Sequence, residues 1–275
     1  MIRLIAIDID GTLLDSRGRL PEVHRDAVRA AAERGITIAL VTGRSHHFTS
    51  HVVEALGLPV TLIVNNGAVV KNSSGSTMLK HVLPRAAARH VLQSTTGFEE
   101  SVAIVFDRSD HRQIVFERMD WTHPNRRGYY ERNKAFIAAS APLADALTED
   151  PIQLMFNGSV EPMRALAETL RAMPIANQFS VALTEYVPRD FSLLDINAAG
   201  CTKGSTLATW AATNGVARDE VMAVGDNLND VEMLEFAGTS ILMGNAAAEL
   251  KARGYQLTGT NDEGGLATAI RRILT

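Results

Sequence analysis

Three nearly continuous apolar runs, Arg3 to Ile9, Ile36 to Val41 and Val60 to Val64, constrain the fold of this chain more than any other feature. Runs without polar alternation suit strands buried on both faces, the condition of a parallel sheet covered by helices. Helical patterns fill the gaps. Pro21 opens the first and Gly35 follows its last residue, Arg34, while Ser45 is placed to cap the second and Gly57 to end it. Strand, helix, strand, helix, strand in that order predicts right-handed crossovers and an α/β fold: a Rossmann-like, doubly wound, mostly parallel sheet.

The same grammar returns near the C-terminus. A helix from Lys203 to Asn214 ends at Gly215, a strand runs from Glu220 to Gly225, and a helix follows from Asp230 to Phe236. Short strands at Ser240 to Met243 and Tyr255 to Thr258 precede a last helix reaching Leu274. The region between these blocks reads differently, because strands there follow strands. Val102 to Phe106 and Gln113 to Phe116 form one pair, Val181 to Val187 and Ser192 to Ile196 another, with helical patterns at Ala86 to Gln93 and Pro162 to Met173. The expected organisation is a discontinuous core, residues 1–83 and 190–275, carrying an inserted α+β domain over residues 84–189.

A chain of 275 residues, 46% hydrophobic and 21% charged, can fill such a core and a smaller second domain. The formal net charge of -4 has acids and bases interspersed, which offers no basic footprint to nucleic acid or to an anionic membrane surface. No apolar stretch reaches bilayer length, and Met1 to Asp10 meets charged residues before a signal-peptide pattern develops. The expectation is a cytoplasmic protein with no nucleic-acid or membrane partner, and nothing calls for more than a monomer. Cys201 is the only cysteine, so any metal must rest on oxygens or histidines.

Candidate chemistry gathers at the ends of the apolar runs. Strand alternation would send the side chains of Asp8 and Asp10 to one side and Ile9 to the other, with Gly11 allowing the chain to turn. Ligands of open α/β sheets bind outside the carboxyl ends of the strands, where this pair falls. Taken alone, Asp8 and Asp10 equally describe an acidic strand end that begins a turn. Thr42-Gly43-Arg44 follows the second run and can offer a hydroxyl and N–H groups to phosphate oxygens, or can be a plain loop. Lys203 at a helix start is ordinarily solvated, yet its ammonium there would complement a phosphate dianion. Gly225-Asp226-Asn227-Leu228-Asn229-Asp230 adds two carboxylates and two amides after another buried run. Such oxygen-rich donors suit Mg²⁺, and the spacing lacks the terminal Glu of a calcium-binding loop. Like charges about 4 Å apart repel by about 4 kcal/mol at an effective dielectric near 20, so a carboxylate nucleophile needs Lys203 and a cation before a phosphate can approach.

Taken together, these segments resemble the four motifs of the haloacid dehalogenase superfamily, present in order as Asp8-Ile9-Asp10-Gly11-Thr12, Thr42-Gly43-Arg44, Lys203 and Gly225 to Asp230. Thr42-Gly43-Arg44, Asn66-Gly67-Ala68, Cys201-Thr202-Lys203-Gly204, Met243-Gly244-Asn245-Ala246 and Asn261-Asp262-Glu263-Gly264-Gly265 are similar to local signatures of its Cof-type phosphatases. The insertion resembles that family's class IIB cap in length and position alone. The resemblance implies a Mg²⁺-dependent phosphatase of small phosphorylated metabolites, sugar phosphates first among them, with a cap that closes to exclude water and select the substrate. Asp8 would attack phosphorus, and Asp10 would protonate the leaving alcohol and then activate water. Mg²⁺ would bind the Asp8 carboxylate, the Asp10 backbone carbonyl and Asp226, with Asp230 beside them orienting water or Lys203. Thr42, Gly43, Lys203 and Asn229 would hold the phosphoryl group, and Arg44, Asn66 and Gly67 form a possible substrate loop.

Other features carry less. His47 and His51 are four apart but lack the Glu of a zinc-hydrolase helix, and Cys201, Met222 and Met243 read as structural. The stretch Asp120 to Arg132, with Trp121, His123, Arg126, Arg127, Tyr129 and Tyr130, reads either as a substrate-contacting loop or as an ordinary exposed one, and Arg189 and Asp190 are similar candidates. Two competing functions remain: a phosphomutase interconverting hexose 1- and 6-phosphates, and a non-catalytic phosphometabolite-binding protein.

Overall fold

Alternation of strand and helix begins as the apolar runs predict, with β1 (Leu4–Ile7), α1 (Glu22–Glu33), β2 (Thr37–Val41), α2 (His46–Leu56) and β3 (Thr61–Val64). These positions come from a computed structural model, which describes residues 1–108 and 112–275. Next come β4 (Val69–Asn72), β5 (Thr77–Lys80), α3 (Arg85–Ser94), β6 (Val102–Val105), β7 (Ile114–Phe116) and α4 (Pro124–Asn133). They lead to β8 (Ile137–Ala139), β9 (Gln153–Gly158), α5 (Val160–Arg171), β10 (Phe179–Tyr186) and β11 (Phe191–Ala198). The chain finishes with α6 (Lys203–Thr213), β12 (Val221–Gly225), α7 (Val231–Phe236), β13 (Thr239–Leu242), α8 (Ala248–Lys251), β14 (Gln256–Leu257) and α9 (Gly265–Leu274). No described helix is long and apolar enough to cross a membrane.

Two compact units result, Met1–Leu79 with Thr202–Thr275, and Lys80–Cys201. In the first, eight strands lie in the order β14-β13-β12-β1-β2-β3-β4-β5. β14 through β3 are parallel, and β4 reverses direction against β3. Leu4 and Ala6 of β1 join Ala39, Val41, Val221 and Ala223 in a core shared with Leu207 of α6 and Met233 and Leu234 of α7. Period two sends Ile5 and Ile7, both fully buried, to the other face. Burial on both faces explains why these strands read as unbroken apolar runs.

The second unit holds a six-stranded sheet in the order β10-β11-β9-β6-β7-β8, antiparallel except between β7 and β8. Along β9 and β11, apolar Leu154, Phe156, Leu194 and Ile196 alternate with polar Gln153, Asn157, Asp195 and Asn197. The expected return to the core at residue 190 lies too early: β11 pairs with β10 over Phe191–Ala198 and with β9 over Ser192–Ile196, so the unit runs on to Cys201. Part of the stretch read as a loop, Asp120 to Arg132, is helical. Pro124 stands at the start of α4, and the His123 ring accepts the Asn125 N–H at 3.3 Å. α4 is polar on nearly every face, which hid it from periodicity.

Phe156 is the largest side chain among those almost wholly removed from solvent. Truncation by Phe156→Ala is expected to lower stability by about 3–5 kcal/mol, read as a shift in the urea midpoint of the transition that reports the second unit.

Candidate active site

β1 and β12 are neighbours from which the chain proceeds in opposite directions, to β2 and β3 on one side and to β13 and β14 on the other. A crevice opens at such a switch point beyond the carboxyl ends of the strands. Asp8 is the first residue past β1, and its N–H donates to Val224 O at 3.0 Å. The chain then makes a wide turn, with Leu13 N–H donating to Asp8 O and Leu14 N–H to Ile9 O. Gly11 sits in this turn at φ +83°, where a Cβ would lie 2.2 Å from Asp226 Oδ2, so no larger residue fits. Strand alternation therefore does not govern Asp8 and Asp10, because the strand has already ended at Ile7.

Lys203 is the first residue of α6, whose Thr202 cap accepts the Ser205 N–H at 3.1 Å. That start is wedged against the loop after β3: Gly67 O accepts the Thr206 hydroxyl at 2.9 Å, and a Cβ on Gly67 would meet Thr202 O at 2.3 Å. The Lys203 side chain is 1% exposed, and Nζ donates to Asp8 Oδ1 and to Asp230 Oδ1, each at 2.6 Å. Asp230 Oδ2 accepts the backbone N–H groups of Asp226 and Asn227 at 2.9 and 3.0 Å. Asp226 is met by neutral donors instead. The Thr12 hydroxyl donates to its Oδ1 at 3.2 Å, and Asn245 Nδ2 donates to its Oδ2 at 3.2 Å and to Gly11 O at 2.9 Å. Asn261 N–H donates to Asn245 Oδ1 at 3.0 Å, and Asn261 Nδ2 anchors on Leu14 O at 2.9 Å.

Asp8, Asp226 and Asp230 can each turn a carboxylate oxygen to within 4.8 Å of the others, the one such group of potential metal ligands among the described residues. Three carboxylates share one ammonium. Burial pushes Asp8 up to about 8, Lys203 opposes the rise, and Asp230 and Asp10 add to it. Burial also raises Asp226 well above the usual carboxylate range, with the charges of Asp8 and Asp230 contributing. Burial works against the Lys203 charge, yet Asp230 and Asp8 outweigh it and the ammonium is held more firmly than in water. Asp230 has its charge answered by Lys203 and two N–H groups, whereas Asp226 has only neutral partners. A hard divalent cation fits that deficit and that all-oxygen donor set, with Asp8 and Asp226 supplying the undercompensated oxygens and Asp230 beside them.

The other expected residues lie on adjoining loops. Thr42 is buried, with its N–H on Ile63 O at 2.8 Å and its hydroxyl oxygen accepting the Arg44 N–H at 3.1 Å. Asn65, Asn66 and Gly67 all have left-handed backbone, φ 51°, 53° and 100°, a conformation that costs Asn less than other side-chain-bearing residues. This turn clasps the Thr42 loop, through Asn66 N–H on Thr42 O and Asn65 N–H on Arg44 O. Gly43 backs onto the Asn66 amide, which also accepts from Asn229 Nδ2 at 2.9 Å. The Asp10 carboxylate is gripped by Arg44, Nε on Oδ2 at 2.7 Å and Nη2 on Oδ1 at 2.6 Å.

Sequence reading missed the work of Thr12, Asn245 and Asn261. The two asparagines lay inside quoted signatures, but their contacts span 234 and 247 positions of chain. In the second unit the aromatic stretch is engaged internally: Trp121 packs on Phe116, Tyr129 and Tyr130, and Arg126 donates to Asn157 Oδ1 at 2.5 Å. Asp190 accepts the Val160 N–H and Arg189 lies over the Tyr186 ring, so both serve their own unit.

Fold and site have counterparts among known proteins. The model of the haloacid dehalogenase-like hydrolases matches residues 5–270. Phosphatase YwpJ of Bacillus subtilis is 27% identical, over 99% of this chain and 100% of its own. HMP-PP phosphatase of Klebsiella pneumoniae is 30% identical, over 92% of this chain and 88% of its own. A crystal structure of a haloacid dehalogenase-like hydrolase from Bacteroides thetaiotaomicron superposes with a TM-score of 0.79 at 26% identity, covering 99% and 100% of the two chains. The chain belongs to the haloacid dehalogenase-like hydrolases. Within them its enzyme class is that of the phosphoric monoester hydrolases, the phosphatases.

The charge deficit predicts a pH dependence. A carboxyl raised to about 8 keeps in the folded state a proton that the unfolded chain releases near pH 4, so folding binds protons between those values and stability falls as pH rises. Buried His24, held below its usual value by desolvation, contributes in the opposite sense up to about pH 6.5. Between about pH 6.5 and 8 the metal-free protein should therefore lose stability as pH rises, and added Mg²⁺ should recover most of the loss. Thermal melts in chelator and in Mg²⁺ across that range check this; a metal-free profile that is flat or rising contradicts it.

Proposed function

We propose that this chain hydrolyses phosphate monoesters of small metabolites, with sugar phosphates as the substrate class, through a Mg²⁺-dependent reaction and a covalent aspartyl phosphate on Asp8. The observation that carries the reading is the buried Lys203 ammonium on Asp8 Oδ1, beside the undercompensated Asp226. Lys203 fixes the plane of the Asp8 carboxylate. An ammonium has three donors, and two are spent on Asp8 and Asp230, which leaves one for a phosphate oxygen. Thr42, Gly43 and Asn229, tied to one another through the Asn66 turn, are assigned the remaining phosphoryl oxygens, with Arg44, Asn66 and Gly67 forming the loop beside them.

Asp8 attacks phosphorus while the bond to the alcohol oxygen breaks, and Asp10 delivers a proton to that oxygen. Asp10 then takes a proton from water as it attacks the aspartyl phosphate, releasing phosphate and restoring Asp8. The Asp8 and Asp226 carboxylates and the Asp10 backbone carbonyl would hold Mg²⁺, whose charge when bound lets a carboxylate and a phosphate dianion approach. The second unit, Lys80–Cys201, is assigned the choice of leaving group.

Phosphate release from a panel of sugar phosphates in Mg²⁺ is the test. Asp8→Asn is expected to abolish turnover, and Asp10→Asn to lower kcat by about 10²–10⁴-fold. Hexose 1- and 6-phosphates interconverting without free phosphate would instead identify a mutase. Binding with no Mg²⁺-dependent turnover would identify a non-catalytic binder.

A further inference from the structure

Asp10 is not free to point where a bound substrate happens to place it. Its two carboxylate oxygens are each held by a different nitrogen of Arg44, at 2.7 and 2.6 Å, which fixes both the position and the plane of the group. The clamp is itself seated: the Arg44 side chain is 13% exposed, its guanidinium lies 4.5 Å over the Phe48 ring, and Nη1 reaches Phe48 O at 3.4 Å. Its backbone belongs to the loop assigned to phosphate, with its N–H on the Thr42 hydroxyl and its carbonyl accepting from Asn65. One rigid piece thus joins the phosphate loop to the carboxylate two residues beyond Asp8.

We propose that Arg44 is the positioning residue for Asp10, holding its carboxylate by a two-point fork so that proton transfer to the leaving oxygen, and later from the attacking water, needs no search by a mobile side chain. The inference rests on the reading of Asp10 as acid and base. Each carboxylate oxygen has two lone-pair directions, so the fork takes one from each and leaves another from which to exchange a proton. Lys in place of Arg offers a point charge without the fork. In the first transfer, a group that acts only through Asp10 matters when the departing alcohol needs a proton and matters little when it does not. Hydrolysis of the aspartyl phosphate is common to both kinds of ester, so kcat/KM, which reports the first transfer, is the quantity to compare.

The test compares an alkyl phosphate, such as a hexose 6-phosphate, with p-nitrophenyl phosphate, whose phenolate leaves without protonation. Arg44→Ala is expected to lower kcat/KM on the alkyl ester by about 10²-fold, the cost of misplacing a reacting group. On p-nitrophenyl phosphate the loss in kcat/KM should stay under about tenfold. Arg44→Lys should keep most of the alkyl-specific defect. The double variant Arg44→Ala/Asp10→Asn should be no slower than Asp10→Asn alone, because both changes then remove the same function. Should Arg44→Ala fold poorly, Phe48→Leu loosens the guanidinium's seat while leaving both charges, and is expected to give the same selectivity at smaller size.

Three results would overturn the proposal. Equal losses on both substrates, while Asp10→Asn remains selective for the alkyl ester, would make Arg44 merely structural and leave the reading of Asp10 intact. A raised KM on both substrates with kcat preserved would make Arg44 a substrate-binding group. A uniform loss of kcat/KM in Asp10→Asn itself would remove the role of Asp10 as acid toward the leaving group, and the positioning role would fall with it.

Discussion

A single ammonium, that of Lys203, is bonded at 2.6 Å to carboxylates that follow two different strands of the sheet. Asp8 comes directly after β1 and Asp230 five residues after the end of β12, while Lys203 begins the helix that precedes β12. The contact therefore ties both sides of the switch point to one helix start. With Lys203 and Asp230 almost wholly buried, neither charge has water to fall back on, and loss of one partner leaves the other exposed to the full cost of desolvation. Packing around the helix start, from Gly67 against the Thr202 carbonyl to the Thr206 hydroxyl on Gly67 O, exists at separations that would not tolerate displacement of α6.

The arrangement is poor for stability by itself. Three neighbouring carboxylates with one cation repel, and the rise of Asp8 and Asp226 above the ordinary carboxylate range measures that conflict. The left-handed Asn65 and Asn66 add backbone strain nearby. Both are understandable at a site where charge and geometry are arranged for a ligand that brings its own charges, and a folded core buried on both faces of its sheet can carry them.

Sequence patterns revealed what depends on local rules. Buried parallel strands, glycine stops and the carboxylates at strand ends were legible, since apolar runs and turn residues report them directly. Asp8, Asp226 and Lys203 could be placed at one end of the sheet because consecutive crossovers fix which ends meet. The grip of Arg44 on Asp10 could not, because it depends on a side-chain direction set after the strand ends at Ile7. β4 and β5 are only four residues each, Met155 interrupts the alternation of β9, and α4 lacks an apolar stripe, so none of them carries a strong period. The domain return was misplaced for a related reason: β11 follows β10 after a short connection, and only its pairing with β9 and β10 reveals its sheet.

What sorts the four acidic residues into different work is the kind of partner each has. Asp230 is answered by an ammonium and two backbone donors, which makes it a fixed anchor with little left to offer. Asp8 has that ammonium on one oxygen and a neighbourhood that resists its charge, a combination that suits the nucleophile proposed for it once a cation is bound. Asp10 has the flat fork of an arginine and stands a third exposed, so it can be aimed and still meet a proton. Asp226 receives only hydroxyl and amide donors, through a relay from Asn261 and Asn245 that fixes its direction while leaving its charge for a cation. Four chemically identical side chains thus stand in four different environments set by their partners, on which the four proposed roles rest, and those partners come from segments that only the fold brings together.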